Sequence, residues 1–219
     1  MKLFLDTAHL PTIKQGLETG LIEGITTNPT LLSKEGGNIT ELVKEICVVM
    51  EPYDVSVEVT EKEPAALYEQ AHRIANLASN VVVKIPCFLD YTPLIKQLVL
   101  DGIPLNITLI FSALQGLLMA KLGVKYISPF VGRLDDIDTN GIEFVQDLKK
   151  MQTTYGFPTQ VLAASLRSPL HVHAAALAGS EVATIPPALF TLLLKHPLTE
   201  KGLALFEADW EKAHTTTFP

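Results

Sequence analysis

Lys84 interrupts an otherwise apolar run, Val81-Val82-Val83-Lys84-Ile85-Pro86. The β-branched residues around it have the character of a buried strand. A lysine in such a setting is costly, because burial disfavours an ammonium and favours the neutral amine. A neutral amine attacks carbonyl carbon, so residue type and setting point to imine chemistry. The alternative is a lysine at a strand end whose stem lies on apolar surface while its head reaches water. Other residues bear on the choice. Asp6 closes the run Lys2-Leu3-Phe4-Leu5-Asp6, Asn28 precedes Pro29, and Glu58 lies among Val55, Val57 and Val59. Asn106 and Thr108 alternate within Leu105-Asn106-Ile107-Thr108-Leu109, and Ser128, Arg133, Ser165 and Arg167 follow later apolar runs. Each has a plain alternative: Asp6 as a helix cap, Asn28 as a turn residue, Glu58 as the partner of a surface lysine. One shared pocket would account for all of them at once.

The elements needed to gather these residues are legible as an alternation of short apolar runs with longer amphipathic segments. Strands are predicted over 2–6, 22–26, 55–59, 81–85, 105–109, 126–128, 160–163 and 182–185. Helices are predicted over 9–20, 39–50, 64–78, a stretch ending near 101, then 112–122, 141–155 and 169–178, with helix again to about 212. Eight strand–helix units predict one (β/α)8 TIM barrel over residues 1–219, followed by a C-terminal helical extension. A doubly wound open sheet is the alternative, since periodicity does not close a sheet. In a barrel of this kind chemistry collects at the C-terminal strand ends, where the residues above fall. Asn106 and Thr108 share a face by strand parity, and Lys84 shares one with Val82 and Pro86. Ser168-Pro169 reads as a helix cap followed by the first helical position, which sets Ser165 and Arg167 beside a helix N-terminus favourable to anions. Arg133 and Arg167 are the expected phosphate hooks.

Composition narrows the class. The 219 residues are 47% hydrophobic and 19% charged, as in a well-buried globular chain. The mean hydropathy of +0.27 is high and suggests continuous buried strands or surface hidden in an assembly. The net charge of −7, without a block of basic residues, argues against nucleic acid or an anionic membrane as partner. No apolar stretch reaches the ~20 residues of a membrane span. Cys47 and Cys87 suggest no disulfide framework, and the opening MKLFLDT lacks a signal-peptide core, so a cytoplasmic location is expected. The tail from His214 to Pro219 is expected to be mobile or docked on a neighbour.

With these residues in view, the chain resembles the transaldolases, and closely the small group that includes fructose 6-phosphate aldolase. The resemblance rests on LDTA at Asp6, GITTNPTLL at Asn28, VVVKIP at Lys84, LNITLIFSALQGLL at Thr108, SPFVGRLDD at Arg133, LAASLRSP at Ser165 and KHPLTEKGLALFEADW near the C-terminus. It implies a class I mechanism without metal or organic cofactor, acting on sugar phosphates in the pentose phosphate pathway. Lys84 would form the Schiff base, Asp6 would move the C4 hydroxyl proton, and Glu58 with Thr108 and a water would shuttle protons. Asn28, Asn106 and Ser128 would hold the dihydroxyacetone part, and Arg133, Ser165 and Arg167 the phosphate. Glu58, Ser128 and Phe130 match transaldolase, where the aldolase has glutamine, alanine and tyrosine. The resemblance also implies pentamers or decamers with exchanged C-terminal helices. The stripe Leu203, Leu205, Phe206 and Trp210 is compatible with that, and equally with packing on the chain's own barrel. The segment Cys87-Phe88-Leu89-Asp90-Tyr91 departs from the short Thr- and Gly-containing turn that often follows KIP, and could alter acceptor preference or pocket closure.

Other classes find less support. A metal-dependent aldolase would need a histidine and carboxylate set at strand ends, yet His9, His72, His171, His173, His196 and His214 are scattered and no HExxH spacing occurs. Neither glycine motif of dinucleotide or P-loop enzymes is present. A non-catalytic barrel remains the alternative of a different kind.

Overall fold

The computed structural model describes residues 1–213, so the expectation for the tail from His214 lies outside the described residues. Eight parallel strands close in sequence order into a barrel. The order is β1 (Lys2–Asp6), α1 (Leu10–Glu18), β2 (Ile22–Thr26), α2 (Pro29–Glu35), α3 (Ile39–Met50), β3 (Asp54–Glu58), α4 (Pro64–Ala75), β4 (Val81–Pro86) and α5 (Thr92–Leu100). It continues with β5 (Leu105–Ile110), α6 (Ala113–Leu122), β6 (Tyr126–Pro129), α7 (Val131–Asp135), α8 (Gly141–Tyr155), β7 (Gln160–Ala163), α9 (Pro169–Leu177), β8 (Val182–Ile185), α10 (Pro187–Leu194) and α11 (Pro197–Lys212). The (β/α)8 expectation is correct, and the open sheet is excluded by the pairing of β1 with β8. No described helix is long and apolar enough to cross a membrane.

Two short helices were not expected. In α2, Asn28 is the cap, accepting a hydrogen bond from the Leu31 amide at 3.0 Å, and Pro29 takes the first turn. Asn28 is thus a helix cap and not a simple turn residue. In α7 five residues follow β6 directly, too few to leave a helical period in sequence.

Strand parity divides the apolar residues into two cores. Val81, Val83 and Ile85 face the helices and join the large core between sheet and helical shell. Val82 faces inward with Phe4, Tyr126, Leu162, Ala164 and Val182. The Phe4 and Tyr126 rings lie 6.1 Å apart, and since β1 and β6 are not neighbours this contact crosses the lumen. Burying one such aliphatic or aromatic side chain contributes about 1.5–3 kcal/mol, which holds the register against slippage. At the N-terminal end, the Tyr126 hydroxyl donates to Asp54 at 2.6 Å and Lys125 pairs with the same carboxylate. Burial, with Asp54 beside it, pushes the Tyr126 hydroxyl far above its ordinary pKa and keeps it a donor. The lumen is therefore plugged by apolar side chains from below and polar only toward the C-terminal strand ends.

Candidate active site

Lys84 has the parity of Val82 and so points into the lumen, where it is only 5% exposed. Its Nζ lies 3.0 Å from Glu58 Oε2 and donates to the Thr27 carbonyl oxygen at 3.0 Å. Sheet register sets up this pair: Glu58, Lys84 and Asn106 are successive Cα partners across β3, β4 and β5. Glu58 is thus the partner of the interior lysine, not of a surface one. The strand-end snorkelling alternative for Lys84 does not hold.

A cavity of about 430 Å³ opens at the C-terminal strand ends, within the usual range for small-molecule sites. Asp6, Asn28, Glu58, Lys84, Thr108, Ser128, Phe130, Arg133 and Ser165 all line it. Asp6 caps no helix; His9 holds the cap position of α1 without a side-chain bond. Instead, Thr26 Oγ1 donates to Asp6 Oδ1 at 2.7 Å. Burial raises the Asp6 pKa above its ordinary value, and the opposing pull of Lys84 and of the Thr26 hydroxyl does not cancel it. Thr108 Oγ1 is buried and has no hydrogen-bond partner among the described residues, so a ligand oxygen in the cavity can satisfy it.

Asn106 is fully buried and lies beneath the cavity wall instead of lining it. Its Nδ2 donates to Ser56 Oγ at 3.0 Å, and its Oδ1 accepts from the Ser128 hydroxyl at 2.6 Å. Ser128 has one proton and spends it on Asn106, so it offers a ligand only lone pairs. Asn28 spends its Oδ1 on the α2 cap, which leaves its amide nitrogen as the group it can offer.

The two arginines differ. Arg133 lies on the cavity wall with its guanidinium 5.0 Å from the centre of the Phe130 ring. Arg167 lies outside the wall, its guanidinium clamped on Asp136 through both terminal nitrogens, with Nη2 2.6 Å from Oδ2. That clamp, chiefly through its hydrogen bonds, holds the Asp136 carboxyl below the usual carboxylate range. Of the two expected phosphate hooks, the second thus has its guanidinium held by Asp136, a partner invisible in sequence. Ser165 adopts φ 59°, unusual for a residue with a side chain, and lines the cavity. The turn is held from both sides. Gly132 N donates to the Ser165 carbonyl oxygen at 3.1 Å, and Arg167 N donates to His171 Nδ1 at 3.3 Å while His171 Nε2 lies 3.2 Å from Asp135. Ser168 caps α9 by accepting from the His171 amide, as expected.

The departing segment after Lys84 stays out of the cavity wall. Leu89–Tyr91 form a short 3-10 turn, and the Tyr91 hydroxyl donates to the Lys62 carbonyl oxygen at 2.9 Å. Sequence reasoning missed Thr26 and Thr184, two buried threonines on the cavity wall. Their strands read only as β-branched wall.

A family model described as Transaldolase/Fructose-6-phosphate aldolase matches residues 3–217. The chain belongs to this family. Among curated relatives, a probable transaldolase of Lactiplantibacillus plantarum is 50% identical over 216 residues, covering 99% of each chain. One from Parvibaculum lavamentivorans is 47% identical over 213 residues, covering 97% of each, and one from Desulforapulum autotrophicum 43% over 212, covering 97% of this chain and 98% of its own. Among solved structures, a mandelate oxidase mutant with a monooxide FMN adduct superposes with TM-score 0.59 at 10% identity, over 84% of this chain and 63% of that one. At that identity the likeness concerns the barrel alone. Transaldolase-type chemistry follows from the family.

Proposed function

We propose that the protein is a transaldolase that carries a dihydroxyacetone unit on Lys84 from a ketose phosphate to an aldose phosphate. The observation that carries this reading is the enclosed Lys84 amine with Glu58 at 3.0 Å on the same cavity as Asp6. Lys84 Nζ attacks the C2 ketone of fructose 6-phosphate or sedoheptulose 7-phosphate. Glu58, close enough to exchange a proton directly or through a water held with Thr108, protonates the departing hydroxyl as the carbinolamine becomes an iminium. Asp6 then takes the C4 hydroxyl proton, the C3–C4 bond breaks, and its electron pair flows into the iminium to give an enamine. The aldose phosphate leaves. A second aldehyde accepts the enamine, Asp6 returns the proton, and hydrolysis releases the new ketose.

Asn28 donates from its amide to the dihydroxyacetone hydroxyls, Ser128 accepts from one, and Asn106 fixes Ser128. Phe130 supplies the apolar face that carries Arg133. Arg133 grips the phosphate with Ser165, and Arg167 joins when phosphate displaces Asp136. The chain works as one catalytic unit over residues 1–219, in the cytoplasm and in the pentose phosphate pathway. It assembles as a pentamer or decamer through α11, in which no described residue is buried and Leu203 and Phe206 are 58% and 74% exposed.

The match of Glu58, Ser128 and Phe130 to transaldolase favours this over an aldolase that releases free dihydroxyacetone. Incubation with fructose 6-phosphate and erythrose 4-phosphate tests the reading: sedoheptulose 7-phosphate is expected, and free dihydroxyacetone without it reverses the assignment to the aldolase.

A further inference from the structure

We infer that Thr26 and Thr184 are positioning residues that aim Asp6 at the reacting C4 hydroxyl, through two hydroxyls hydrogen-bonded in series. The inference rests on the role proposed for Asp6 above. Asp6 stands on β1, which is flanked by β2 and β8. Thr26 stands beside Asp6 in the β1–β2 register, and Phe4 beside Thr184 in the β1–β8 register. Both threonines are almost fully buried, at 2% and 4% exposure. Thr26 Oγ1 lies 2.7 Å from Asp6 Oδ1 and 2.6 Å from Thr184 Oγ1.

Proton counting fixes the direction. An ionised carboxylate only accepts, so Thr26 donates to Asp6 and its single proton is spent. The contact between the threonines must then be donated by Thr184. The order is Thr184 to Thr26 to Asp6, and each bond polarises the next toward the anion. Among the described residues Thr26 is the one side chain that donates a hydrogen bond to Asp6. The carboxylate torsion of an aspartate is broad, so that bond is what sets its plane and leaves Oδ2 for the substrate. A threonine in a strand is ordinarily wall material. The hydroxyl and the branched shape therefore have to be separated by experiment.

Valine keeps the branched shape and removes the hydroxyl; serine keeps the hydroxyl and removes the methyl. The full-length enzyme is compared as Thr26→Val, Thr184→Val, Thr26→Ser and Thr184→Ser, with fructose 6-phosphate and erythrose 4-phosphate as substrates. Loss of one charge-assisted hydrogen bond predicts a kcat lower by about ten- to a hundredfold in Thr26→Val and by about three- to tenfold in Thr184→Val, with KM within about twofold of the parent. The acid limb of the kcat profile moves to higher pH in both, further in Thr26→Val, because the Asp6 carboxylate has lost stabilisation. The serine variants stay near the parent on both measures. Borohydride trapping of dihydroxyacetone on Lys84, which breaks no carbon–carbon bond, proceeds in all four as in the parent. Parent-like kcat and an unmoved acid limb in the valine variants overturn the inference, as does equal loss in valine and serine variants. Thr184→Val, one hydroxyl removed from the carboxylate, carries the test should Thr26→Val not fold. Absence of a trapped adduct in the parent sinks the lysine reading itself, a result separate from any contrast between valine and serine.

Discussion

Glu58 and Lys84 are Cα partners on adjacent strands, and their side chains meet inside the barrel with Oε2 and Nζ 3.0 Å apart. Lys84→Met is expected to abolish both turnover and borohydride-trapped adduct. Glu58→Gln keeps a hydrogen-bonding partner but cannot exchange a proton, so the adduct still forms, slower by about 10²–10⁴-fold. Peptide mass mapping after reduction checks both; a tag on any lysine other than Lys84 removes the basis of the mechanism.

Asp6 gives the pH dependence its sign. Burial raises its pKa, so the protonated form persists to higher pH than for an ordinary aspartate. The base must be ionised, so kcat is expected to fall on the acid side at a pH above the usual aspartate range of about 3.9. Stability runs the other way. The folded state holds this proton more tightly than the unfolded chain, so Asp6 costs stability progressively as pH rises from the unfolded value through the raised one, and fully above it. Asp6→Asn should therefore melt higher than the parent near neutral pH while losing carbon–carbon cleavage. A lower melting temperature there contradicts the burial argument.

The arginines should separate kinetically. Arg133→Ala is expected to raise KM for phosphorylated donors by about ten- to a hundredfold, the worth of a charge-assisted hydrogen bond, and to leave dihydroxyacetone trapping untouched. Asp136→Asn releases Arg167 from its clamp, and KM for the same donors should drop a few-fold. A rise in KM on that substitution would mean that the clamp itself, not the freed arginine, serves the site.

Gly132 has no room for a side chain. A Cβ there would collide with the Ser165 carbonyl oxygen and the Arg167 side chain. Gly132→Ala is expected to cost about 1–3 kcal/mol, as overpacking does, and to weaken phosphate binding by displacing Ser165. Denaturant melts and KM report the two effects independently.

Static light scattering tests the proposed assembly. The parent should have the mass of a pentamer or decamer, and the double substitution Leu203→Glu with Phe206→Glu should bring it to the monomer. A parent that is already monomeric ends the idea.

What sequence revealed follows from what buried parallel strands look like. Strands covered on both faces are continuous apolar runs, so all eight could be located, and Lys84 stood out because it breaks one. Polar residues at the other strand ends stand out on the same ground, and the family motifs give them roles and add Phe130. The failures have equally physical origins. Asn28-Pro29 carries the same cap-and-proline signal as Ser168-Pro169, but α2 is only seven residues long and leaves no period. The clamp between Arg167 and Asp136 joins residues 31 apart through two loops, which no local pattern encodes. Thr26 and Thr184 leave no functional signal, because threonine suits a strand wall for its branching alone and no local pattern shows one hydroxyl bonded to Asp6 and the other to that hydroxyl.

The closure of β8 against β1 has a consequence for the protein's birth. Asp6 leaves the ribosome well before Thr184, which completes its surroundings from the last strand of the barrel. A nascent chain thus carries its carboxylate, amine and glutamate before a finished chamber exists to hold them. Competence arrives late and all together, when the last stave of the cask is set.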